Sequence, residues 1–216
     1  MYKAYVFDLD GTVADTLETI AYYVNTTLEK YGLKTFPVED YKYFVGEGAP
    51  LLIERVLRAQ DKYEEALHKE MLDSYLKSYN AKPLYLTSLY EGMAETLKSL
   101  KEKGMKLGVF SNKPQSSVDL VVDAFFEKDF FDVVLGQQEG NPRKPDPAML
   151  LKMLDGFNVS PKECVYVGDT ATDMQTGKNA DCFTVGVLWG FRDREELEEN
   201  KADLIISSPK ELEIIK

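Results

Sequence analysis

Short apolar runs alternate with stretches of helical spacing from Leu89 to the C-terminus, and one more apolar run opens the chain. This rhythm constrains the fold most, because strands joined through helices make right-handed crossovers and lie parallel in one covered sheet. The expected strands are residues 4–7, 106–110, 132–135, 164–167 and 183–187, with 204–206 as a short last strand before a C-terminal helix. Expected helices follow Met93-Leu97-Leu100 to a stop at Gly104, and cover residues 115–126, 147–157 and 173–180. Asp146 suits the N-cap of the helix at 147–157, and Pro147 its first position. The fold class is therefore α/β: a Rossmann-like, mostly parallel sheet with helices on both faces.

Residues 16–81 break the rhythm. They hold helical patterns, at 16–31, 49–59 and 62–79, and no convincing strand. An all-helical insertion directly after the first strand reads as a second small domain over the sheet edge. The expected division is a core of residues 1–15 and 82–216 and a helical cap of 16–81, joined near Asp15 and near Lys82-Pro83. At 216 residues the chain has room for both.

Polar groups gather where the strands end. The run Ala4-Tyr5-Val6-Phe7 leads into Asp8-Leu9-Asp10-Gly11-Thr12. Val109-Phe110 leads into Ser111-Asn112-Lys113, and the loop after residue 135 holds Arg143-Lys144-Pro145-Asp146-Pro147. Val165-Tyr166-Val167 leads into Gly168-Asp169 and on to Asp173. In a parallel sheet all four clusters fall on one edge, where open α/β sheets bind their ligands. Two acids one residue apart repel each other, and a cation is the simplest reason to keep both. Asp8, Asp10 and Asp169 offer oxygen ligands suited to Mg²⁺. Ser111, with Asn112 beside it, and Lys144 suit phosphate oxygens, while Thr12 adds a hydroxyl next to the acids. Asp173, four residues past Asp169, is placed to hold the Lys144 ammonium. A carboxylate approaching a phosphate dianion meets about 4 kcal/mol of repulsion per charge pair at about 4 Å and an effective dielectric near 20. Magnesium and Lys144 together reverse that sign.

These strings, in this order, resemble the haloacid dehalogenase superfamily, and within it the phosphatases with a small helical cap, of the phosphoglycolate phosphatase kind. The resemblance spans residues 7–173. It implies Asp8 as nucleophile, forming an aspartyl-phosphate, and Asp10 as the acid that protonates the leaving oxygen and then activates water. It implies magnesium on Asp8, Asp169 and the Asp10 main-chain carbonyl, with Ser111 and Lys144 on the transferring phosphoryl group. An acid at position 10 sets the chain apart from the superfamily's dehalogenases, whose halide leaves unprotonated, and from its phosphonatases, which carry alanine here with a cap lysine. Sugar phosphomutases of the same fold carry a histidine in the first cap helix where this chain has Ile20. A small phosphomonoester is therefore the expected substrate; a mutase, a pyrophosphatase and a non-catalytic binding module are the alternatives.

Substrate choice is expected to lie in the cap. The loop Gly46-Glu47-Gly48 is expected to face the site, since its glycines permit close approach, and Arg55 is a candidate partner for a substrate carboxylate. His68 reads as a surface residue, Trp189 and Phe191 as packing residues, and the acidic run 193–199 as a solvated helix face. The formal charge of −11 argues against nucleic-acid or anionic-membrane partners. No signal-peptide pattern precedes the first strand, and Cys164 and Cys182 read as buried free thiols, so a cytoplasmic setting is expected. A monomer is the default.

Overall fold

The computed structural model describes residues 1–215. The chain opens with β1 (Ala4–Phe7) and the two-residue β2 (Ala14–Asp15). Four helices follow: α1 (Leu17–Lys30), α2 (Tyr41–Phe44), α3 (Ala49–Arg58) and α4 (Glu65–Ala81). The chain then returns through β3 (Ser88–Leu89) to α5 (Met93–Glu102), β4 (Lys106–Pro114), α6 (Gln115–Phe125) and β5 (Val133–Gln137). It closes with α7 (Ala148–Phe157), β6 (Cys164–Gly168), α8 (Ala171–Asn179), β7 (Phe183–Val187), α9 (Arg194–Glu199) and β8 (Leu204–Ile206).

Six strands form one sheet in the order β5-β4-β1-β6-β7-β8, and every neighbouring pair is parallel. All four residues of β1 are buried, as a central strand covered on both faces requires. Successive side chains alternate between two cores. Tyr5 and Phe7 join Val109, Val167 and Val185 against Met93, Leu97 and Val121, whereas Ala4 and Val6 join Cys164 and Tyr166 against Leu150 and Met153. The strand order reverses at β1, with β4 on one side and β6 on the other. A crevice therefore opens at the carboxyl end of β1.

The inserted helices bury a cluster of their own, built on Ile20, Val24, Leu28, Leu52, Ile53, Val56, Met71, Tyr75 and Tyr79. One residue from the later chain, Phe191, packs into it. Between the insertion and the sheet lies a feature absent from the sequence reading: β2 and β3 pair antiparallel, Ala14 with Leu89 and Asp15 with Ser88. Both connections thus run through one small ribbon. The return connection passes Lys82-Pro83 as expected, but its ordered strand comes at Ser88–Leu89.

Two further expectations are corrected. The strand expected at 106–110 runs on to Pro114, because after an irregularity Pro114 pairs again with Gln137. The expected C-terminal helix is a 3-10 turn, Pro209–Ile214, entered through a Ser208/Glu211 capping box. Among the described residues, no helix is long and apolar enough to cross a membrane.

Candidate active site

Asp8 stands one residue past β1, and its main-chain N–H donates to the Val167 carbonyl at 2.9 Å, which carries the sheet ladder one step further. Its side chain therefore starts from a fixed point at the crevice. Lys144 reaches the same place from the loop after β5. Its ammonium is 2.7 Å from Asp8 Oδ1 and 2.7 Å from Asp173 Oδ1, with the side chain almost wholly buried. Asp173 is itself held in place. Its other oxygen accepts from the Thr170 amide at 3.1 Å and hydroxyl at 2.7 Å, closing the capping box that starts α8. Asp169 accepts from the Thr12 hydroxyl at 3.0 Å and the Phe191 amide at 2.8 Å. Gly190 makes that approach feasible, since a Cβ there would stand 2.3 Å from the Asp169 Cβ.

The electrostatics are those of a crowded, dry acidic site. Burial pushes the Asp8 carboxyl up to about 7, with Asp173 and Asp10 adding to the rise and Lys144 opposing it. Burial likewise raises Asp169, as do the charges of Asp173 and Asp8. Burial alone would lower Lys144, but Asp173 and Asp8 outweigh it and hold its ammonium well above the ordinary range. Asp10 turns away from this group. Its carboxylate meets the Lys113 ammonium at 2.9 and 3.1 Å and the Thr16 hydroxyl at 2.7 Å.

Four carboxylates (Asp8, Asp10, Asp169 and Asp173) against two ammonium groups leave two uncompensated negative charges. That is the charge of one divalent cation. Oxygens of Asp8, Asp169 and Asp173 lie within 4.8 Å of one another, and Asp169 has no cationic side chain bonded to it among the described residues. The donor set is all oxygen, which suits a hard divalent ion. Asp8, Asp10 and Asp169 are the oxygen donors named from sequence; the acids whose carboxylate oxygens the structure brings together are Asp8, Asp169 and Asp173, while the Asp10 carboxylate is bound to Lys113.

A cavity of ≈ 50 Å³ opens beside Asp8 and Asp10, lined by Ser111, Asn112 and Lys113 from β4 and by Ile20, Leu52, Tyr75 and Tyr79 from the insertion. Gly46 and Gly48 line it too. Gly48 has φ +91°, and a Cβ there would come within 2.9 Å of the Asn112 carbonyl, so this loop lies directly against β4.

The profile of the haloacid dehalogenase-like hydrolases matches residues 5–187, a span holding all four polar strand ends. The chain belongs to that family. Relatives include the phosphoglycolate phosphatases of Aquifex aeolicus, 32% identical over 97% of this chain and 94% of the relative, and of Haemophilus influenzae, 33% identical over 94% and 93%. A solved structure from Lactobacillus delbrueckii subsp. bulgaricus, described as a candidate phosphoglycolate phosphatase, superposes with a TM-score of 0.92 at 31% identity, covering 98% of this chain and 97% of that one. This haloacid dehalogenase-like hydrolase is a phosphoric monoester hydrolase.

Several side chains named from sequence are hydrogen-bonded within the protein. Thr12 donates to Asp169. Asn112 accepts from the Lys144 amide at 2.9 Å and donates to the carbonyls of Lys144 at 3.3 Å and Gly46 at 3.4 Å, which ties two loops to β4. Arg55 is ion-paired with Glu47 and donates to the Phe44 carbonyl at 3.0 Å; neither Arg55 nor Glu47 lines the cavity. Trp189 donates to the Thr12 carbonyl at 3.0 Å, behind the site. His68 contacts the Pro50 carbonyl at 2.8 Å and does not line the cavity.

Sequence reasoning passed over Lys113, Tyr75, Tyr79 and Arg192. The Arg192 guanidinium donates to the Val45 carbonyl at 3.1 Å and pairs with Glu196 at 3.0 Å, bridging the last βα loop to the insertion. No signal marked Arg192 in sequence. Lys113 stood inside a quoted string, next to Ser111, and the length of β4 is what buries it.

Proposed function

We propose that this hydrolase is a Mg²⁺-dependent phosphatase acting on a small phosphomonoester of the phosphoglycolate type through an aspartyl-phosphate at Asp8. The observation that carries the reading is the Lys144 ammonium at 2.7 Å from both Asp173 and Asp8, the acid that lines the cavity and clusters with Asp169. A carboxylate so placed has a fixed cation to offset a phosphate's charge.

In this reading an Asp8 oxygen attacks phosphorus while the ester P–O bond breaks, and Asp10 gives its proton to the departing alkoxide. Water then attacks phosphorus, passes a proton to Asp10, and the P–O bond to Asp8 breaks to release inorganic phosphate. Lys144 and Ser111 hold phosphoryl oxygens through both steps. Asp8, Asp169 and the Asp10 carbonyl would hold magnesium, which would supply positive charge against those oxygens. Residues 16–81 serve as a cap over the core of 1–15 and 82–216, and the paired β2 and β3 form the neck about which it moves.

Ile20 favours a phosphatase over a mutase, because it is buried and lines the cavity, where an alkyl group moves no proton. The size of the cavity favours a short leaving group over a nucleotide: ≈ 50 Å³ holds only a few water molecules. The test is phosphate release from 2-phosphoglycolate, ethyl phosphate and p-nitrophenyl phosphate with Mg²⁺. Asp8→Asn is expected to lower turnover by about 10⁴-fold or more, and chelation to abolish it. Comparable turnover by Asp8→Asn would overturn the assignment.

A further inference from the structure

We infer that Lys113 and Tyr79 form a two-donor receptor for a carboxylate on the leaving part of the substrate, and that this pair selects short phosphorylated hydroxy acids. The inference rests on the phosphatase reading and names the residues that choose its substrate.

The apolar part of the cavity wall is Ile20, Ala49, Leu52 and Leu76. A leaving group rich in hydroxyls would leave them unpaired against those side chains. Near the Tyr75 hydroxyl, Lys113 and Tyr79 bring two further hydrogen-bond donors to the lining. The first is the Lys113 ammonium, on a residue only 7% exposed. An ammonium has three N–H donors. Its two contacts to Asp10 are at 2.9 and 3.1 Å, so one N–H has no carboxylate partner, and the ammonium nitrogen lies 4.4 Å from the Tyr79 ring centroid.

The second donor is the Tyr79 hydroxyl. Tyr79 is 1% exposed and lines the cavity, and its hydroxyl has no hydrogen-bond partner among the described residues. Buried tyrosine hydroxyls are normally paired, and an orphan on a cavity wall marks a place where a ligand atom belongs. A carboxylate has lone pairs enough to accept from both groups at once. Lys113 also grips Asp10, the acid assigned to the leaving oxygen, so the carboxylate it reads sits only a few bonds from that oxygen. This limits the alcohol to a short hydroxy acid. Arg55, the cation that sequence offered for this task, is occupied by Glu47 and the Phe44 carbonyl.

The readout is the ratio of kcat/KM for 2-phosphoglycolate to that for ethyl phosphate, which has similar size and no carboxylate. Lys113 also supports Asp10, so its loss slows both esters; the ratio isolates recognition. The wild-type ratio is expected near 10² or above, falling by about 30-fold or more in Lys113→Met. Tyr79→Phe keeps the ring under the ammonium and removes one oxygen, and its ratio is expected to fall by about tenfold. If Lys113→Met fails to fold or to turn over, Tyr79→Phe decides alone. A wild-type ratio near one, or a Tyr79→Phe ratio equal to wild type, overturns the inference. Asp8-dependent hydrolysis of ethyl phosphate would then still uphold the phosphatase reading, whereas no hydrolysis of any ester would remove both.

Discussion

Thr12 illustrates how much of this site is built by hydrogen bonds among its own residues. It is fully buried, and its hydroxyl is one of two donors that aim Asp169. Replacing it by valine keeps the shape and removes the donor, leaving a buried carboxylate oxygen unpaired. Partners behind metal ligands typically carry about 10–100-fold in metal affinity. Thr12→Val is therefore expected to raise the Mg²⁺ concentration for half-maximal activity by about tenfold or more. An unchanged magnesium dependence would show that Asp169 is positioned by the Phe191 amide alone. At this scale the acids were legible in sequence, because each follows an apolar run that could only be a buried strand. Their division of labour was not. Thr12 and Asn112 looked like groups facing outward, yet their hydrogen bonds run to Asp169 and to the loop of Lys144. Glu47 and Arg55 neutralise each other, and nothing in a one-dimensional string pairs a loop acid with a helix base eight positions on.

Elements were readable where periodicity was strong and misread where a distant partner decided the outcome. The six strands of the sheet follow the apolar runs, since burial on both faces demands continuous hydrophobicity. The extension of β4 to Pro114 depends on Gln137, and the β2–β3 ribbon on residues far apart in sequence, so neither has a local signal. The edge strand β8 shows the same dependence. Three residues cannot hold an edge by burial alone, and Asp203, just before it, supplies a tether. Its carboxylate accepts from the Thr184 amide at 2.8 Å and hydroxyl at 3.0 Å, and pairs with Lys178 on α8. Burial alone would raise Asp203; the bonds from Lys178 and Thr184 outweigh it and hold the carboxyl below its ordinary value of 3.8. A depressed carboxyl stabilises the fold above its ordinary titration range and loses that contribution as pH falls through the folded value. Asp203→Asn is thus expected to lower the urea midpoint near neutral pH, and the gap between the two midpoints should close as pH falls below the ordinary carboxyl range. A gap independent of pH would mean that the carboxylate's charge contributes nothing to the tether.

Across the whole molecule, charge sets a condition on how substrate arrives. With a divalent ion held by the acids, the site would balance internally: two ammonium groups and that ion would match its four carboxylates. What an approaching ester meets is therefore the field of the rest of the molecule, whose chain carries a formal charge of −11 before the ion's two positive charges are added, and that field repels it. Most enzymes of anionic substrates lose rate with salt because an attractive field is screened; here the sign is reversed. Raising ionic strength from about 0.01 M to about 0.1 M shortens the Debye length from about 30 Å to about 10 Å, which removes much of the repulsion. At saturating magnesium, kcat/KM for 2-phosphoglycolate is expected to rise a few-fold over that range. Ethyl phosphate, with one charge fewer, should rise less, and kcat should change little for either, because the bound complex lies inside the balanced site. The comparison of esters separates screening from any general effect of salt on the fold, which would move both alike. A fall in kcat/KM would place a net positive patch at the cavity mouth, strong enough to override the acidic remainder of the surface.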